Sequence, residues 1–210
     1  MALEKQLSQV EQLYSTNLKE KGVNSTAVGW NSRECQQLRF DKLISLVAEE
    51  ESPFSVNDYG CGFGSLLLYL AKKERRVSAY NGYDISNEML DEAGRQLTGQ
   101  QETRVNLFNA SQINTQADFG FVSGTFNVRF DASKEAWHQF IEKKLQELDA
   151  NCSKGFSFNL LTSYVDWEEP HLFYGDPCYW FDFCKRSFSK KVTLLHDYDL
   201  WEWTIVVDKK

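Results

Sequence analysis

Between Val56 and Gly64 the chain reads V-N-D-Y-G-C-G-F-G, and a second acid, Asp84, follows twenty residues beyond Gly64. Glycines in a strand-to-helix turn remove Cβ atoms and admit positive φ, so a ligand can lie directly on the backbone. An acid about twenty residues further on is placed to accept hydrogen bonds from ribose hydroxyls. Together these are the parts of a nucleoside-cofactor site. Asp58, two residues before Gly60, narrows the choice. A carboxylate there sits badly beside a pyrophosphate, whereas a cofactor carrying an ammonium and a sulfonium is attracted by it.

The D-x-G-x-G-x-G run with its downstream Asp resembles the class I S-adenosylmethionine-dependent methyltransferase superfamily, over nearly the whole chain. The resemblance implies a cofactor, S-adenosyl-L-methionine, whose ammonium is held by Asp58 directly or through water. Gly60 and Gly62 would let that part of it lie on the backbone, and Asp84 would bind the ribose diol. Ile85 and Met89 are expected to sandwich the adenine, and Ala110 and Ser111 to read its amino edge. Ser123 and Gly124 would face the methyl, with Phe126, Asn127 and Arg129 flooring an acceptor pocket. Upstream, Trp30 resembles a lid aromatic, and Arg39 could pair with the methionine carboxylate. The sequence lacks an N-P-P-Y type tetrad, which argues against methylation of nucleobase or glutamine amide nitrogen.

The chain departs from the family at Asn109, where an acid is usual. Two other readings stand beside the first. An NAD(P)-dependent oxidoreductase would also use Gly60-x-Gly62 and Asp84, although Asp58, and Ser65 in place of a third fingerprint glycine, oppose it. A non-catalytic S-adenosylmethionine-binding protein would keep the pocket and lack an acceptor. Methyl transfer from a sulfonium is an in-line displacement at oxygen, nitrogen or carbon, and a base is needed only if the acceptor must lose a proton. His138, Tyr164 and His171 are the loosely placed candidates for that base.

The elements that must position these residues alternate. Short β-branched or aromatic runs take turns with helical stretches from about residue 33 to 163, which predicts βαβ units in a parallel sheet. Strands are expected at 54–59, 77–83, 105–108, 119–123 and 155–161. Helices are expected over 32–51, from Ser65, from an N-cap at Ser86, and over 132–148. Aromatic residues crowd 171–183, partly as a helix over 179–188 and partly as a candidate acceptor lining. Strands at 192–198 and 200–207 are too close for a crossover and must form an antiparallel hairpin. The fold class is thus α/β, a Rossmann-like doubly wound arrangement of seven mostly parallel strands closed by a C-terminal hairpin. Residues 1–50 are expected to form an N-terminal helical lid and 51–210 the cofactor-binding unit.

With 210 residues, 42% hydrophobic and 14% aromatic, the chain is long enough for one domain with a real core. No apolar run approaches the roughly twenty residues that cross a bilayer, and the first twenty residues lack the apolar core of a signal peptide. A cytoplasmic protein, monomer or homodimer, with no membrane partner is expected. The net charge of −7 and the scattered basic pairs disfavour nucleic acid, leaving a small-molecule acceptor as the expected partner. Five cysteines without a C-x-x-C pair and three dispersed histidines predict neither disulfides nor a metal site.

Overall fold

The computed structural model describes residues 2–24, 27 and 32–210. Six helices, α1 (Ala2–Lys21), α2 (Arg33–Leu43), α3 (Ser65–Lys72), α4 (Asn87–Gln96), α5 (Lys134–Asn151) and α6 (Pro177–Ser187), surround one sheet among the described residues. Its strands are β1 (Phe54–Tyr59), β2 (Val77–Asp84), β3 (Arg104–Asn109), β4 (Ala117–Val122), β5 (Cys152–Thr162), β6 (Tyr174–Gly175), β7 (Lys191–Leu195) and β8 (Glu202–Asp208). The order is β3-β2-β1-β4-β5-β8-β7. The first five are parallel, and β8 runs antiparallel between β5 and β7.

The expected seven-stranded sheet is therefore present, with one addition: the two-residue β6 pairs with the end of β5. The expected helix over 32–51 is shorter, because α2 stops at Leu43 and passes into a tighter 3-10 turn over Ile44–Val47. The hairpin strands are also shorter than the hydrophobic pattern suggested, and residues 196–201 form the turn between them.

Local chemistry explains the helix starts. Ser32, Ser86 and Ser133 each sit in extended backbone and accept a hydrogen bond from the N–H three residues on. Asp176 does the same for α6, which has Pro177 in its first turn, where the missing N–H costs nothing. The central strands are buried on both faces, as parallel strands covered by helices must be. On one face Trp137, Leu145 and Leu148 of α5 meet Phe156, Phe158 and Trp203. On the other, Phe40 and Leu43 of α2 and Leu66 and Leu70 of α3 meet Val56, Phe119 and Phe121. Within the segment expected as a lid, α2 is part of this second layer, and α1 packs through Leu7 against the first.

Three buried or partly buried asparagines cross the sheet in register. Asn106 donates to Asn81 Oδ1 at 2.8 Å, Asn81 donates to Asn57 Oδ1 at 3.0 Å, and Asn57 donates to the Thr115 carbonyl at 2.7 Å. Slipping any of these strands by one residue would leave polar groups unpaired between layers of aromatic side chains, so the row fixes the alignment of β1, β2 and β3.

Candidate functional site

A cleft opens at the carboxyl ends of β1, β2 and β4, where open α/β sheets bind their ligands. The turn after β1 builds its floor: Gly60, Gly62 and Gly64 have φ of 77°, 53° and 80°, conformations that favour glycine. Gly60 has a second reason to lack a side chain. A Cβ there would stand 2.1 Å from Thr125 Oγ1, whose hydroxyl donates to the Tyr59 carbonyl at 2.9 Å. The bare backbone at 60 thus accommodates the loop that follows β4.

Asp84, at the end of β2, organises the same turn. Its carboxylate accepts from the Gly62 N–H and the Ser86 N–H, each at 2.9 Å. Burial pushes its pKa up, the backbone bonds pull it down, and the Glu11 carboxylate on α1 adds to the upward shift. Asp58 is only 2% exposed. Its side-chain partner is the Tyr80 hydroxyl, which donates at 2.6 Å. Burial raises the Asp58 pKa to about 7, against the pull of the Tyr80 bond, and Asp84 adds a smaller upward push. A carboxylate held this way is short of positive charge and suited to receive a cation.

The structure brings together most of the residues expected to touch a cofactor. Asp58, Gly60, Gly62 and Asp84 line one side of the cleft; Ile85, Met89 and Ala110 supply an apolar wall; Ser123 and Gly124 close the far side. Ser123 Oγ is buried and has no hydrogen-bond partner within the described residues, a polar group left unsatisfied at a residue that lines the cleft.

Other expected residues lie elsewhere. Trp30 falls outside the described residues. Arg39 is buried but does not line the cleft: its Nε donates to Glu202 Oε2 at 2.7 Å. Glu202 also accepts from Asn159 at 2.7 Å, and Asn159 Oδ1 accepts from the Gly124 N–H at 2.7 Å. Arg39 therefore braces the cleft through Glu202 and Asn159. Ser111 is outside the lining, and its carbonyl accepts from Lys144 Nζ at 2.6 Å.

The expected acceptor floor is corrected in the same way. Phe126 is buried in the core, its carbonyl accepting from Trp137 Nε1 at 2.8 Å. Asn127 is turned toward Glu202 and the Leu161 N–H, and Arg129 donates to the carbonyls of Leu172 and Phe130. All three are consumed by joining the loop after β4 to its surroundings. None of the three candidate bases lines the cleft. His138 stacks on Trp180 with ring centres 4.5 Å apart, His171 is exposed, and Tyr164 is 68% exposed beside His196.

The roof includes part of the expected N-terminal lid, through residues not singled out in the sequence. Leu7, Val10, Glu11 and Tyr14 of α1 line the cleft, with Gln36 and Phe40 of α2 and Trp137 and Phe140 of α5. Burial and the nearby Asp84 push the Tyr14 pKa up to about 12. Ser15 meets Ser86 at 2.8 Å and Glu88 at 3.1 Å, and Lys19 pairs with Glu88 at 3.0 Å, so α1 is fastened to the start of α4. The signal was available: Leu7, Val10, Tyr14 and Leu18 recur at helical spacing.

Comparison with known proteins agrees with this architecture. Residues 56–155 match the family model described as a methyltransferase domain. The protein named "Putative methyltransferase Rv1506c" of Mycobacterium tuberculosis (strain ATCC 25618 / H37Rv) is 43% identical over 165 residues, spanning 78% of this chain and 98% of that protein. Magnesium protoporphyrin IX methyltransferase from Synechocystis PCC 6803, solved with bound S-adenosylmethionine, superposes with a TM-score of 0.69 at 14% identity over 98% of this chain and 97% of that one. The methyltransferase domain of bacterial CtHen1 gives 0.61 at 19% identity, covering 82% and 98%. At such identities these two likenesses speak for the fold.

Proposed function

Because the chain belongs to the methyltransferases, we propose that it is of the class I S-adenosylmethionine-dependent kind and methylates a small molecule, at oxygen, nitrogen or carbon, in the cleft above β1, β2 and β4. The observation that carries this reading is one cleft holding a buried carboxylate, Asp58, a second at the end of the adjacent strand, Asp84, and the unpaired Ser123 oxygen opposite. When bound, S-adenosylmethionine supplies a methyl on a sulfonium that departs as a neutral thioether.

The work left to this chain is orientation and exclusion of water, which dominate the acceleration of such a transfer. Asp58 opposes the ammonium, with Tyr80 fixing its carboxylate. Asp84 receives the ribose hydroxyls while keeping the glycine turn in shape through Gly62 and Ser86. Ile85, Met89 and Ala110 flank the base. Within the N-terminal segment 1–50, α1 serves as the lid, supplying Leu7, Val10 and Tyr14 as the cover. The histidines and Tyr164 stand away from the cleft, which favours an acceptor that arrives already nucleophilic. The net charge of −7 supports a small molecule over a nucleic acid.

The test is calorimetry with S-adenosylhomocysteine. Asp84→Ala should weaken binding by about 1–3 kcal/mol, because the ribose loses its acceptor and the Gly62 N–H is left unpaired. Wild-type affinity in that variant would overturn the assignment of the ribose, and tight binding of NAD to the wild type would overturn the cofactor.

A further inference from the structure

The turn after β5 and the turn between β7 and β8 lie at the same end of the sheet as the cleft, because β5 and β7 both end there. They are joined: the Thr162 N–H donates to the Trp201 carbonyl at 3.0 Å. On this joined surface Tyr164, Trp167 and Trp201 are 68%, 65% and 55% exposed. Trp167 faces Trp201 with ring centres 6.0 Å apart, and Tyr164 faces His196 at 5.9 Å. Large aromatic side chains gathered in water mark a surface that meets a partner.

The charges around them say which kind. Segments 163–169 and 196–201 contain Asp166, Glu168, Glu169, Asp197 and Asp199, and neither contains a lysine or arginine. Glu168 is matched by Lys134 and Asp197 by Lys42. Asp166, Glu169 and Asp199 are exposed and enter no ion pair within the described residues. Aromatic faces attract cations through their quadrupoles, and carboxylates add counter-charge. A second copy of the same face would set carboxylate against carboxylate, and a polyanion would be repelled.

The surface is also coupled to the cleft. Gln36 and Phe40 of α2 line the cleft, while Lys42 of the same helix holds Asp197 at 2.8 Å and lies 5.1 Å from the Tyr198 ring centre. We propose that this aromatic and acidic rim holds the cationic end, a protonated amine or quaternary ammonium, of the methyl acceptor, whose reacting end reaches past α2 into the cleft. The assignment rests on the small-molecule methyltransferase reading above.

The full chain labelled with 5-fluorotryptophan tests it, the Trp167 and Trp201 fluorine resonances being assigned with Trp167→Phe and Trp201→Phe. Titration with benzyltrimethylammonium should shift both resonances saturably, and maltotriose or AMP should not. The triple variant Asp166→Asn, Glu169→Gln, Asp199→Asn lies wholly on the exposed surface and should weaken the cation by at least about fivefold. No saturable shift with the cation, an equal shift with the sugar, unchanged affinity in the triple variant, or a dimer in sedimentation that covers these rings would each overturn the proposal. Calorimetry with S-adenosylhomocysteine on the same samples keeps the two readings apart. Cofactor binding without cation binding sinks the rim alone, and cation binding without cofactor binding sinks the methyltransferase reading.

Discussion

At Asp58 the interplay of burial and charge yields a titration that binding should reveal. With its pKa near 7 in the folded protein, the group is largely neutral at pH 6 and largely ionised at pH 8. Only the ionised form attracts an ammonium, so affinity for S-adenosylhomocysteine should rise with pH and level off above about 7.5, falling by up to about tenfold for each unit below the midpoint. The Tyr80 hydroxyl lowers the Asp58 pKa, so Tyr80→Phe should move that midpoint upward, as calorimetry across pH would show. Stability has the opposite slope. The folded pKa lies above the ordinary 3.8, so this group's contribution is full below about 4 and is lost as pH rises through 7. Asp58 and Asp84 were legible because backbone geometry dictates their spacing from the glycines. The placement of Arg39, Asn127 and Phe126 was not, since it depends on Glu202, Asn159 and Trp137, partners from distant parts of the chain whose proximity only the folded sheet creates.

For whole elements, the fastening of α1 is the feature with the clearest consequence. Ser86 Oγ caps α4 by accepting from the Met89 N–H at 3.1 Å and simultaneously meets Ser15. Ser86→Ala should cost about 1 kcal/mol in a urea midpoint through the lost cap. It should also speed amide exchange along α1, which Ser15 joins to the cap, more than along α5. Equal protection of both helices would mean that α1 is held by its apolar stripe alone. Strand positions were readable to within a few residues because buried parallel strands carry continuous apolar runs bounded by turns. The ends of α2 and of the hairpin were less so: apolar residues such as Ile44 and Val47 satisfy a helical pattern whether the backbone is α-helical or coiled more tightly.

The assembled molecule ties the cofactor to stability. A ligand that binds only the folded chain stabilises it by about 2.7 kcal/mol at a hundredfold excess over its Kd. For a chain of 210 residues that corresponds to an upward shift in Tm of roughly 5–10 °C. S-adenosylhomocysteine should produce it and NAD should not; a shift with NAD alone would return the molecule to the oxidoreductase class. No helix among the described residues is long and apolar enough to cross a membrane. The contact between Thr125 and the bare backbone of Gly60 reaches further than fit. The two loops mesh like a tongue and its slot, so neither can drift through evolutionary time by itself. A chimera that takes one of them from a relative must take the other as well, and any widening of substrate range by reshaping the later loop is bounded by the earlier one.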